Sequence, residues 1–110
     1  MKKIIVFASG NGSNFKSIFN HLKKYKIDAS ITLLVSNNSK CKAIEFAESN
    51  GIDTFIINKN RYPDSLEYEK LILGKLENLS PSLIVLAGYM RKIPSEVIRK
   101  FEGKIINIHP

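Results

Sequence analysis

Short runs that are apolar on successive residues constrain this chain more than any other feature. They fall at residues 3–8, 30–35, 54–57, 82–87 and 104–108. A strand with one wet face alternates apolar and polar residues, whereas a strand apolar at consecutive positions needs cover on both faces. Between the runs the period changes. Phe15, Ile18, Phe19 and Leu22 recur at i, i+3, i+4 and i+7, the stripe of a helix. Residues 40–50 read as a second helix packing Ala43, Phe46 and Ala47, stopped by Gly51. A third covers 64–79 with the stripe Tyr68, Leu71, Ile72, Leu76 and Leu79. There Asp64 and Glu67 have the spacing of an N-cap and its capping-box partner, just after Pro63. Pro94 suits the first position of a short helix carrying Val97, Ile98 and Phe101, with Gly103 as its stop.

The order is therefore βαβαβαβαβ, which predicts an α/β fold: a Rossmann-like, doubly wound parallel sheet with helices on both faces. Right-handed crossovers give the strand order 3-2-1-4-5 if the chain reverses direction after the third strand. At roughly 30 residues per βαβ unit, 110 residues make one domain. The longest apolar stretches, 83–88 and 4–8, are far short of the ~20 residues of a spanning helix. Lys2-Lys3 and the apolar run after them imitate the start of a signal peptide. A glycine-rich polar loop follows at Ser9, however, so the segment reads as the first strand of a cytoplasmic protein with no membrane partner.

Charge narrows the partners. Lys and Arg outnumber Asp and Glu by 17 to 10, a net +7 that attracts anions. The lysines (Lys16, Lys23, Lys24, Lys26, Lys40, Lys42) are scattered over helix faces without interleaved aromatics, so small anions are expected rather than nucleic acid. Cys41 stands alone, which allows neither an internal disulfide nor a metal cluster. It reads as a small packing residue, and His21 as a surface one.

In open α/β sheets ligands bind beyond the carboxyl ends of the strands. After the first run comes Ser9-Gly10-Asn11-Gly12-Ser13-Asn14, after the second Ser36-Asn37-Asn38, after the fourth Gly88-Tyr89-Met90-Arg91, and at the end of the fifth Asn107-Ile108-His109-Pro110. Gly10 and Gly12 can both take positive φ and let backbone N–H groups approach a ligand. Ser13 and Asn14 open a helix whose N-terminus favours an anion, so this loop is read as a phosphate site. A dinucleotide fingerprint is excluded, because Phe15 stands where the third glycine belongs and no carboxylate ends the second strand. A P-loop lysine motif is absent as well, which leaves a mononucleotide-type phosphate ester. Asn107 and His109, two apart on a strand, share a face. An amide that polarises a carbonyl beside an imidazole that carries protons suits acyl transfer. An ordinary structural amide and a strand-terminal histidine fit the same spacing.

Taken together, Ala8-Ser9-Gly10-Asn11-Gly12-Ser13-Asn14, Ser36-Asn37, Ala87-Gly88-Tyr89-Met90-Arg91 and Asn107-Ile108-His109-Pro110 resemble the phosphoribosylglycinamide formyltransferases, a branch of the folate-dependent formyltransferase family. The match runs the whole length. The Gly-Asn-Gly-Ser-Asn loop is specific to that branch, while Asn-x-His-Pro is shared more widely with related deformylases. The resemblance implies transfer of a formyl group from 10-formyltetrahydrofolate to the amine of 5-phosphoribosylglycinamide in purine biosynthesis, with no metal. It assigns the substrate phosphate to Gly12, Ser13 and Asn14. Met90, Arg91, Lys92 and Ile93, largely through backbone, line the folate pocket together with Asn107. Asn107 also holds the formyl oxygen, and His109 shuttles the proton. Leu66 stands where relatives often carry a folate-contacting arginine. In that family Asn-x-His-Pro lies near mid-chain, with a catalytic aspartate and the rest of the folate pocket beyond it. Residues 1–110 are therefore expected to be the N-terminal, phosphate-binding half of such a domain and inactive alone. The alternatives are a non-catalytic phosphate- or nucleotide-binding module and a formyltetrahydrofolate hydrolase-like member of the same superfamily.

Overall fold

The computed structural model describes residues 1–58, 64–89 and 92–108. Its elements are β1 (Lys2–Phe7), α1 (Ser13–Lys24), β2 (Ala29–Ser36), α2 (Lys42–Ser49), β3 (Asp53–Ile56), α3 (Ser65–Leu79), β4 (Leu83–Ala87), α4 (Ser95–Lys100) and β5 (Ile105–Ile108). The five strands form one sheet in the order β3-β2-β1-β4-β5, every pairing parallel. This is the topology expected from the two-sided apolar runs.

Each face of the sheet builds its own core. Ile4 and Val6 of β1 point into a cluster with Phe15, Leu34, Ala43, Ile44 and Ala47, under α1 and α2. Ile5 and Phe7 point the other way, to Leu33, Val35, Ile72, Leu76, Ile84 and Val97, under α3 and α4. Burying a side chain of this size contributes about 1.5–3 kcal/mol, and Ile5, Val6, Phe15, Leu34, Ile72 and Leu76 are wholly enclosed. The helices change face between α2 and α3. The chain therefore reverses direction at the β1–β4 boundary, where such sheets open a crevice.

Local chemistry sets the element ends, and several differ from the pattern-based bounds. α2 begins at Lys42 rather than Lys40, because Cys41 is its extended N-cap and the Asn38 side chain takes the Lys40 N–H at 3.0 Å. Pro94 is the N-cap of α4, one position earlier than expected, with φ −56° and ψ 139°. Asp64 does cap α3, its Oδ1 accepting the Leu66 N–H at 3.0 Å; Pro63 lies outside the described residues. Within β2, Ile31 pairs with Ile4 but Leu33 pairs with Ile5. Thr32 is thus an extra residue, a β-bulge, and its hydroxyl donates to the Ile4 carbonyl at 3.4 Å. The bulge returns Leu33 to the α3/α4 face and Leu34 to the α1/α2 face.

The outer strands are wetter than two-sided apolar runs imply. β5 pairs with β4, Ile84 with Ile105 through Ala87 with Ile108, and Ile106 is 49% exposed. Asn107 is exposed as well. β5 is the edge of the described sheet, where the expected order 3-2-1-4-5 puts it, so an apolar run here does not enclose its amide.

Candidate functional site

The first loop is held from both sides. At the end of β1, Ala8 donates its N–H to the Val35 carbonyl at 3.0 Å and Ser9 donates to the Gly88 carbonyl at 3.3 Å. The chain thus leaves the sheet between the ends of β2 and β4. Of the two glycines that could take positive φ, only Gly12 does, at φ 76° and ψ 24°; Gly10 does not. The reason lies in packing. A Cβ on Gly12 would fall 2.8 Å from the Ala43 Cβ and 3.0 Å from its Cα, and the Ala43 N–H donates to the Gly10 carbonyl at 3.4 Å. The loop is therefore pressed against the start of α2, and only a residue without a side chain fits.

Gly12 is also the N-cap of α1. Lacking a side chain, it leaves capping to Asn11, whose Oδ1 accepts the Ser13 N–H at 3.0 Å. The remaining first-turn N–H groups of an α-helix have no intrahelical partner. Here they meet no carboxylate, since the first turn of α1 carries no acidic residue. Backbone donors and a helix dipole leave an anion as the favoured occupant.

The second loop is tied internally. Ser36 is fully buried, its Oγ accepting the Asn38 N–H at 3.2 Å and lying 3.5 Å from the Cys41 Sγ. Cys41 itself is buried in the α1/α2 core, as its reading as a packing residue requires. At the end of β4, Gly88 takes φ 76° and the Tyr89 ring meets Phe7 edge-on at 5.1 Å. Met90 and Arg91 lie outside the described residues. Lys92 is exposed, whereas Ile93 is buried in the α3/α4 core, which leaves its backbone rather than its side chain to meet a ligand. Asn107 stands in register with Leu86 near the end of β5. His109 and Pro110 lie outside the described residues.

The described structure thus brings Gly12, Ser13, Asn14, Ser36, Asn37, Gly88, Tyr89 and Asn107 to one edge, beyond the carboxyl ends of the strands. Leu66, in the first turn of α3, is 65% exposed. His21 is on the surface as expected, its Nδ1 2.7 Å from the Ser17 carbonyl and its ring stacked on Tyr25. Among the described residues no group of His, Cys, Asp and Glu could hold a metal ion, and no helix is long and apolar enough to cross a membrane. Sequence reasoning found Ala43 as a packing residue of the second helix but missed its close approach to Gly12, which needs the fold.

The family model described as "Formyl transferase" matches residues 2–110. The phosphoribosylglycinamide formyltransferase of Bacillus subtilis is 46% identical over the whole of this chain, which spans 56% of that protein's length. The trifunctional purine biosynthetic protein adenosine-3 of Gallus gallus is 39% identical over 98% of the chain, which spans 11% of that protein. Among solved structures, glycinamide ribonucleotide transformylase 1 from Geobacillus kaustophilus superposes with a TM-score of 0.91 at 39% identity, covering all of this chain and 58% of that one.

Proposed function

This chain belongs to the formyl transferase family, and from that premise we propose that residues 1–110 are the phosphate-binding half of a phosphoribosylglycinamide formyltransferase. In this reading the enzyme passes a formyl group from 10-formyltetrahydrofolate to the amine of 5-phosphoribosylglycinamide, in purine biosynthesis. The single observation that carries it is the first loop. Gly12 at positive φ presses on Ala43 and presents an α1 N-terminus whose first turn holds no acid. That is a seat for a phosphate ester, and the Bacillus subtilis formyltransferase is similar over the chain's full length.

The roles follow from residue chemistry. Backbone and side-chain donors of Gly12, Ser13 and Asn14 hold the phosphate and so fix the distance of the reacting amine from it. The backbone around Met90, Arg91, Lys92 and Ile93, with Asn107, borders the folate. When the amine attacks the formyl carbon, the carbonyl oxygen gains negative charge, and the Asn107 amide donates to it. The carbon–nitrogen bond to the folate then breaks. His109 takes the proton from the attacking amine and gives it to the departing folate nitrogen. The cosubstrate supplies the formyl group, and no metal takes part. The place of Asn107 near the carboxyl end of β5, in register with Leu86, supports this role. The excess of cations supports a soluble enzyme acting on small anions in the cytoplasm.

The test is His109→Ala in the complete enzyme that carries this segment. Formyl transfer should disappear while binding of the phosphate ester stays near the parent value. A variant that keeps the full rate removes His109 from the mechanism. The 110-residue chain alone should bind a phosphate ester weakly and transfer nothing.

A further inference from the structure

The pole opposite the ligand loops carries a groove. At the amino ends of β1 and β2, between the carboxyl ends of α1 and α2, lies a hollow of about 350 Å³. Its lining is mostly apolar: Phe19 and Leu22 from α1, Ile27, Ala29 and Ile31 on the way into β2, and Ile52 after α2. Ile31 and Ile52 are buried, while Ile27 is left 49% exposed. Apolar surface left in water favours whatever covers it.

Charge and size select the occupant. Lys23 supplies the one charged side chain of the described lining, and the other polar ones are Ser30 and Asn50. Asn50 is committed, its Nδ2 donating to the Phe46 carbonyl at 2.8 Å. The Lys23 ammonium stands 5.0 Å from the centroid of the Phe19 ring, and among the described residues no carboxylate pairs with it. Beside the lining in sequence, Lys2, Lys24 and Lys26 outnumber Asp28 and Asp53. An ammonium over an apolar floor, in a basic surround, complements a ligand with an anionic head and an apolar tail. The volume falls at the small end of ligand pockets, about 300–1,000 Å³. A protein partner needs roughly 800 Å² of matching surface, whereas the large apolar residues exposed at this pole are Met1, Tyr25 and Ile27. A second copy would bring a further +7 against the same lysines.

We infer that this groove binds a small amphipathic anion, an alkyl or acyl chain ending in one carboxylate. The tail lies along Phe19, Leu22, Ile27 and Ile31, and the carboxylate pairs with Lys23. The inference is independent of the first loop and stands whether or not that loop holds a phosphate ester.

The experiment uses the 110-residue chain, its Lys23→Gln and Ile27→Ser variants, and octanoate as the probe, with hexanoate and octylammonium for comparison. Calorimetric titration gives the affinities, and backbone amide shifts locate the site. Lys23 and Ile27 are both exposed, so both variants should melt near the parent. Octanoate should bind the parent at one site, about tenfold tighter than hexanoate for its two further methylenes, and more tightly than octylammonium. The shifts should cluster at residues 19–31 and 50–52 and spare Gly12, Ser13 and Asn14. Lys23→Gln should weaken octanoate about fivefold without weakening octylammonium, and Ile27→Ser should weaken both about tenfold. Should Ile27→Ser fail to fold, Lys23→Gln and the comparison of head groups on the parent decide the matter. No saturable binding of octanoate, equal affinity for octylammonium, or parent-like octanoate affinity in either folded variant overturns the inference. So does displacement of octanoate by ribose 5-phosphate, which would put the carboxylate in the first loop. A parent that sediments as a dimer weakened by Ile27→Ser gives the groove to a second copy and overturns it as well.

Discussion

Replacing Gly12 with alanine loads two independent costs on one added methyl group. The first is conformational: φ 76° is the left-handed region, where an L side chain costs roughly 1–2 kcal/mol. The second is steric. The new Cβ arrives 2.8 Å from the Ala43 Cβ and 3.0 Å from its Cα. Neither atom belongs to a flexible side chain, so backbone must shift, and overpacking of this kind costs about 1–3 kcal/mol. The stiffer unfolded chain returns about 0.5 kcal/mol, which leaves a loss of roughly 2–4 kcal/mol. Against a domain stability of about 5–15 kcal/mol that is a large fraction, and it lowers the melting temperature by about 8 °C or more. Urea unfolding of the parent, Gly12→Ala, Ala43→Gly and the double variant separates the two terms. Ala43→Gly removes the nearer clash, so the pair should show a favourable coupling of about 1 kcal/mol. Gly10→Ala is the internal control, with ordinary φ and open space around its Cβ position, and should change stability by less than about 1 kcal/mol. A Gly12→Ala loss under about 1 kcal/mol, or equal losses at Gly10 and Gly12, would refute the close-approach argument.

Two further outcomes are expected. Phe15→Ala, at a fully enclosed ring edge-on to Phe46 at 5.6 Å, should cost about 3–5 kcal/mol in urea unfolding. It should also loosen α1 beneath the anion loop, seen as faster amide exchange across Ser13–Lys24. Asp64→Ala removes the side-chain acceptor of the Leu66 N–H and should cost about 1 kcal/mol, whereas Asp64→Ser should recover most of it.

The strand order was readable because the evidence for it is chemical and local. Ile4 through Ala8 are apolar at every position, only cover on both faces explains that, and helices between such runs leave few topologies. The edges were less readable. The expected order 3-2-1-4-5 already puts the run 104–108 at the rim, but how far Ile106 and Asn107 are exposed there depends on what lies beside them, and the run carries no record of that. At finer scale, the sequence offered Gly10 and Gly12 as equals. The choice between them is made by Ala43, thirty-one positions after Gly12 and brought there by the crossover through β2. Thr32 as a bulge has no local signature either, since it follows from register. The convergence of the polar loops at one edge was legible, because in this architecture strand ends converge whatever their sequence.

The sheet divides the interior in two, and the candidate ligand segments draw on different halves. The anion loop stands on the α1/α2 core through Ala8, Phe15 and Ala43, while the segment after β4 stands on the α3/α4 core through Phe7, Tyr89 and Ile93. Side chains on opposite faces of β1 do not touch across the backbone. A substitution that repacks one core therefore leaves the footing of the other segment intact. Variation can accumulate under one loop without disturbing the other, which makes the two parts of the proposed site separately evolvable.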